Sequence, residues 1–322
     1  MVFGPLIVTK TLPALLSLLV VWPLAVWMGD FRVMFWAIML QITATLVLSH
    51  VVATRPYRVL FDLDVMRGSL VFGWPLLVNG ALMFAVFQGD KVIVGRVLGM
   101  EALAVIAMGY MLTLTPMQVL SRSLQNFFLP QLSRGGDAFP KLAQVALEAA
   151  LFVSMVLLVG VSLAGPLLVT LVLGEKYAAL APLLYWMALM QAFRMAASGH
   201  SVVSLSVGFT ALAMCASITR VLLLPVVWWA AVQGFELRTL IWIGVIGEMA
   251  GYLVGLVLLH RRIGLQIVWP PQLAVLCLVG ASGVAAMVWP GIGLVSVLVL
   301  GFLGGSFVLT RLRAHLRTGA HI

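Results

Sequence analysis

From Gly68 to Gln88 the sequence GSLVFGWPLLVNGALMFAVFQ contains no charged side chain. As a helix rising about 1.5 Å per residue, it is long enough to cross a hydrocarbon core of roughly 30 Å. A second apolar run, MGYMLTLTPMQVLSRSLQNFF, carries an internal Pro116 and Arg122 and closes on LPQLSR, which is polar enough to stop at a membrane surface. Between them lies GDKVIVGRVLG, read as a glycine-punctuated turn holding Asp90, Lys91 and Arg96. The two runs form a helical hairpin that crosses and recrosses a membrane, the geometry that bonds every backbone polar group within its own segment.

The rest of the chain repeats this signal. Of 322 residues, 63% are hydrophobic and 9% charged, with a mean hydropathy of +1.16, which excludes soluble globular classes. The net charge of +9 is scattered singly between apolar runs, so it offers no basic-aromatic surface for a nucleic-acid backbone. Cys215 and Cys277 fall inside apolar runs and read as small core residues. The start, MVFGPLIVTK, has neither a basic leader nor a small-residue cleavage site, so the first span is expected to stay.

Ten spans are expected: Thr11–Met28, Val33–Ala53, Gly68–Gln88, Leu103–Phe128, Leu142–Leu171, Ala179–Ser206, Thr210–Val232, Leu240–Leu259, Gln272–Trp289 and Leu294–Leu309. The connections are too short to fold as domains, which leaves function to the helices. Lys10, Arg55, Arg58, Arg67, Arg134, Lys141, Arg261, Arg262, Arg311, Arg313 and Arg317 fall on one side. Arg32, Lys91, Arg96, Lys176 and Arg238 fall on the other. Cytoplasmic loops are the Lys/Arg-rich ones, so both termini are expected in the cytoplasm. Trp269 and Trp289 bracket the ninth span as an aromatic belt would.

Three motifs carry a resemblance: Asp90-Lys91, the turn Gly95-Arg96-Val97-Leu98-Gly99, and the exit Pro130-Gln131-Leu132-Ser133-Arg134. Together they resemble the start of the second lobe in the oligosaccharide flippases, the Wzx-like branch of the superfamily that includes the multidrug MATE exporters. Leu168–Thr210 extends the likeness through LGEKYAALAPLL; the family has a basic or polar residue after its exit glycine, where this chain has Phe209 after Gly208. The resemblance implies an all-α polytopic membrane bundle with a partial first lobe at residues 1–67, a complete six-helix second lobe at 68–265, and a terminal helix pair with a basic tail at 266–322. On that pattern the chain begins inside the first lobe. It also implies a bacterial cytoplasmic (inner) membrane location.

Arg122, Arg194 and Arg220 lie within expected spans, where each costs roughly 2.5–3.5 kcal/mol at mid-membrane and so should face inward. Arg194 shares a helical face with Gln191, Ser198 and Ser201, with His200 off it; Arg122 shares one with Gln118 and Gln125. These stripes read as walls of a water-filled cavity for an anionic headgroup, because guanidinium forks match phosphate oxygens in pairs and stay charged. The bland alternative is ion pairing: Glu248 lies at the right depth to neutralise Arg220, whereas Arg194 has no evident acidic partner and is singled out as the headgroup ligand. Arg122 equally suits snorkelling to the surface. Asn79 shares a face with Met83 and Asp90 and suits either the cavity or an interhelical hydrogen bond. Asp90 suits cation coupling or, preferably, a local pair with Lys91 or Arg96. Glu148 is expected at the headgroups, and His50, His260 and His315 at span ends or in the tail. Gly244, Gly247, Gly251 and Gly255 mark a face for close helix packing. No spacing suggests a metal, and neither a cofactor nor a catalytic constellation is expected.

By resemblance, the substrate is a polyprenyl-pyrophosphate-linked oligosaccharide, flipped between leaflets for lipopolysaccharide, O-antigen or exopolysaccharide export, with membrane lipids and polysaccharide assembly machinery as partners. Three alternatives stand beside it. A cation-coupled drug exporter is disfavoured because arginines outnumber acids inside, and a polysaccharide polymerase or ligase because its outer loops would need catalytic groups. A non-transporting remnant rests only on the missing helices.

Overall fold

The computed structural model describes residues 4–30, 32–52, 62–264, 299 and 302–310, and no strand occurs among them. The chain divides into two compact units, Met1–Met66 and Arg67–Ile322. In the first, α1 (Gly4–Met28) packs against α2 (Arg32–Val52), and the Ser17 hydroxyl donates to the Ala37 carbonyl at 3.0 Å.

The second unit begins with α3 (Leu63–Val97, starting just before the division) and α4 (Met100–Leu132). Asp90, Lys91 and Arg96 lie inside α3 rather than in a turn, and only Leu98 and Gly99 separate the two helices. At 35 residues α3 is about 52 Å long. Crossing a core of roughly 30 Å does not oblige a helix to stop at its boundary, so polar residues at the end extend it instead.

Next come α5 (Phe139–Leu168), a π-turn at Val169–Leu173, a short 3₁₀ segment at Glu175–Leu180, and α6 (Ala181–Ser206). α6 is the central helix, packed against α4, α5 and α9 (Leu237–Ile263). It ends where Gly208, at φ 78°, lets the Phe209 amide bond back to the Ser204 carbonyl. The expected seventh span is broken into α7 (Ala211–Val221) and α8 (Leu224–Val232). Pro225 sits at the start of α8, where it lacks an amide donor and would clash with the carbonyl four residues back.

Seven stretches of the described helices are long and apolar enough to cross a membrane. α6 has the length but not the apolarity, because Gln191, Arg194, His200 and its serines lie along it. Its neighbours shield it: Arg194 is 5% exposed, while Leu77, Met111 and Leu171 are each more than 65% exposed on the outside. Apolar side chains out and polar groups in is the distribution a lipid solvent imposes. The chain is thus an all-α, multi-pass membrane protein.

The small-residue face of α9 receives two helices. A Cβ at Gly251 would stand 2.9 Å from the Ala216 carbonyl oxygen of α7, and one at Gly255 would overlap the His200 ring of α6. Glu148, expected at the headgroups, is packed inside the bundle. It is fully buried, accepting a 2.8 Å hydrogen bond from Gln144 one turn earlier, because it falls on the face of α5 that includes Ala143, Leu147 and Leu151. The ninth span, part of the tenth, Arg55, Arg58, Trp269, Cys277, Trp289, Arg311, Arg313, His315 and Arg317 lie outside the described residues; 302–310 is helical.

Candidate functional site

α3 meets its neighbours through side chains more than through close backbone approach. The Ser217 hydroxyl of α7 donates to Asn79 Oδ1 at 2.6 Å, Thr210 donates to the Phe72 carbonyl at 3.1 Å, and Tyr110 of α4 donates to Asp90 Oδ2 at 2.8 Å. Between these ties α3, α4, α6 and α7 line an open cavity of about 490 Å³. A recess of about 200 Å³, sharing Asn79, Ser121, Gln125, Ser198 and Ser201, borders it at the start of α7 and the end of α6.

Arg122, Arg194, Arg220, Gln118, Asn79 and Ser198 all line this cavity, joined by Gln125 and Ser201. The helical offsets that place Ser198 and Ser201 over Arg194, and Gln118 and Gln125 beside Arg122, thus lead to one space. Asn79 both lines it and bonds across to Ser217. Gln191 does not reach it; it is buried and accepts from Arg194 Nη1 at 3.2 Å.

Arg194 does have an acidic partner. It donates from Nε to Glu248 Oε1 at 2.9 Å and from Nη2 to the same oxygen, and its Cζ lies 4.5 Å from the centre of the Phe87 ring. Glu248 Oε2 meanwhile lies 2.7 Å from Arg220 Nε, close enough for an ion pair but without an aligned hydrogen bond. The carboxylate is shared because it has two oxygens and sits where α6 and α7 both meet α9. Arg220 Nη1 has only distant contacts, 3.5 Å to Ser217 Oγ and 3.6 Å to Met83 Sδ. Arg122 is exposed and has no acidic partner among the described residues.

Asp90 is partnered by Tyr110, in place of the expected pair with Lys91 or Arg96; as part of the continuous α3 it points across to α4. It borders a separate cavity of only about 20 Å³ with Ile106, Met187 and Met190. His200, off the polar face of α6 by its helical offset, nevertheless lines the large cavity. It is 1% exposed, and neither ring nitrogen has a hydrogen-bond partner among the described residues. Its signal in the sequence is Gly255, whose missing side chain admits the ring. Ser217, three residues before Arg220, is legible as an i, i+3 neighbour.

The arrangement holds cations against water-accessible space while keeping the acid behind them, a geometry that can receive an anion. No group of His, Cys, Asp and Glu among the described residues could hold a metal ion.

A family model described as polysaccharide biosynthesis protein matches residues 1–182. The teichuronic acid biosynthesis protein TuaB of Bacillus subtilis (strain 168) is 25% identical over 210 residues, covering 64% of this chain and 44% of that relative, so this chain spans less than half of it. No solved structure matches the chain.

Proposed function

Because this chain belongs to the polysaccharide biosynthesis protein family, we propose that it carries the headgroup-binding lobe of a flippase for polyprenyl-pyrophosphate-linked oligosaccharide. The observation that carries this reading is the cavity of about 490 Å³ walled by Arg122, Arg194 and Arg220, with amides and hydroxyls between them, inside a bundle whose outer surface is apolar. The diphosphate and sugar enter that cavity while the polyprenyl tail stays in lipid, and no bond is made or broken. Access alternates as this lobe rocks against a partner lobe. The protein lies in the bacterial cytoplasmic membrane with both termini inside and works beside the polysaccharide assembly machinery.

Two features favour this over the alternatives. The large cavity has no carboxylate in its own wall, as a site for an organic cation would need. The described connections between helices are a few residues long except Val169–Leu180, which is itself coiled into short helical turns, and none is long enough to hold a polymerase's catalytic loop. Proteoliposomes loaded with fluorescent lipid-linked oligosaccharide test the reading. Quenching of outer-leaflet label should go beyond half of the total within minutes when the protein is present, and Arg220→Ala should slow it at least tenfold. Equal rates with and without protein would reject it.

A further inference from the structure

The three arginines of the cavity are not equivalent, and Glu248 makes the difference. Arg194 has its Nε and Nη2 on Glu248 Oε1, its Nη1 on Gln191, and the Phe87 ring against its face. A guanidinium has five N–H donors in a fixed plane, and most of this fork is already committed. Arg220 touches the same carboxylate by distance alone, through Nε, and presents Nη1 and Nη2 with nothing nearer than 3.5 Å among the bonds described. Arg122, on the facing helix α4, has no acid at all among the described residues. Three guanidiniums and one carboxylate therefore leave a net positive charge at the wall, with the Nη groups of Arg220 on α7 and the whole of Arg122 on α4 open to a single cavity. Asp90 does not alter this balance at the wall: it is bonded by Tyr110 and borders a different, much smaller cavity.

We propose that Glu248 is a selectivity-setting residue: by holding Arg194 away from the ligand it leaves Arg220 and Arg122 as a two-point site that prefers a diphosphate to a monophosphate. This rests on the anionic-headgroup reading above and adds to it which residues touch the ligand and which position them. Arg194 is a positioning residue. It anchors Glu248, and Glu248 orients Arg220 from behind, so its fork faces the cavity. A ligand with two phosphoryl groups can meet the Arg220 Nη groups and Arg122 at once, whereas one phosphoryl group must choose. Releasing Arg194 would supply a second fork close to Arg220 and let a single phosphate bind nearly as well.

The test uses the purified full chain in nanodiscs, titrated by calorimetry with farnesyl diphosphate and farnesyl monophosphate, which share a tail and differ by one phosphate. The unaltered protein should bind the diphosphate at least tenfold more tightly. Arg220→Gln and Arg122→Gln should each weaken diphosphate binding at least tenfold and leave monophosphate binding within threefold. Arg220→Lys, which keeps the charge but loses the fork, should recover only part of the loss. Glu248→Gln should strengthen monophosphate binding at least threefold and narrow the preference. Arg194→Gln should cost less than threefold in diphosphate affinity while lowering the unfolding temperature. Arg96→Gln, exposed and outside the cavity, should stay within twofold. Equal binding of the two lipids, a larger loss for Arg194→Gln than for Arg220→Gln, or an unchanged preference in Glu248→Gln would each overturn the proposal. Because the single-arginine variants Arg122→Gln and Arg220→Lys leave the Arg194–Glu248 bonds in place, misfolding of the other two does not decide the matter. If oligosaccharide translocation fails in proteoliposomes while this ranking holds, only the flippase reading falls. If translocation proceeds and the ranking fails, only the selectivity assignment falls.

Discussion

Arg220 Nε and Glu248 Oε2 face each other at 2.7 Å between α7 and α9, with Glu248 only 2% exposed. Two charges are stable there because each is the other's solvent; removing one partner from a buried pair typically costs about 3–5 kcal/mol. Glu248 serves two arginines and Arg220 only one acid. Glu248→Gln in the absence of ligand should therefore lower thermal stability more than Arg220→Gln, which leaves the Arg194–Glu248 bonds intact. Unfolding in detergent, followed by tryptophan fluorescence, checks the order, and the reverse order would mean that the triad is not what holds α6, α7 and α9 together.

The close approach of α7 to α9 gives a second prediction. A Cβ at Gly251 would press on the Ala216 carbonyl oxygen, a backbone atom that cannot swing aside, whereas one at Gly80 on α3 would meet nothing within 4 Å. Gly251→Ala should destabilise by about 1–3 kcal/mol through overpacking. Gly80→Ala should instead be neutral or stabilise by up to about 1 kcal/mol, the usual gain of alanine over glycine in a helix. Melting temperatures that move the same way for both variants would contradict this packing.

The glycines of α9, the polar stripe of α6 and the stripe of α4 are legible in the sequence. Each lies on one face at three- and four-residue spacing, and a helix turns such spacing directly into geometry. What spacing does not encode is which neighbour a face meets. A depth argument pairs charges one to one and so matches Glu248 to Arg220 alone, while the carboxylate's two oxygens allow Arg194 to share it. Membrane thickness, taken to end the third helix, puts Asp90 in a turn; only the continuous α3 carries its side chain to Tyr110. Position near a span end does not show that Glu148 is packed inside the bundle, where Gln144 supplies a donor one turn away.

The tie between Asn79 and Ser217 offers a third prediction. With few close backbone contacts, α3 depends on such side-chain bonds to stay against α7. A single interhelical hydrogen bond in a membrane averages about 0.6 kcal/mol, so Ser217→Ala should barely change global stability. It should still raise amide hydrogen exchange in α3 around Asn79 severalfold more than in α5. Uniform exchange across both helices would show that α3 is held by something else.

The His200 ring fills the space over Gly255 beside Tyr252, with ring centroids 5.9 Å apart, and lines the cavity with both nitrogens unpaired among the described residues. A buried imidazole without partners bears a desolvation cost that an apolar ring of similar size does not. His200→Phe should therefore preserve or raise thermal stability, because Phe keeps the contact over Gly255. If the ring serves only packing, the same variant should leave farnesyl diphosphate affinity within twofold. If a ring nitrogen meets the ligand, affinity should fall at least fivefold with no loss of stability, because an unmade hydrogen bond in the free protein is made in the complex. The ring edge that carries Nε2 lies over Gly255 of α9 and both nitrogens are buried, which supports the first outcome. A fall in stability would contradict the prediction, because it would mean that the imidazole makes a bond that phenylalanine cannot replace.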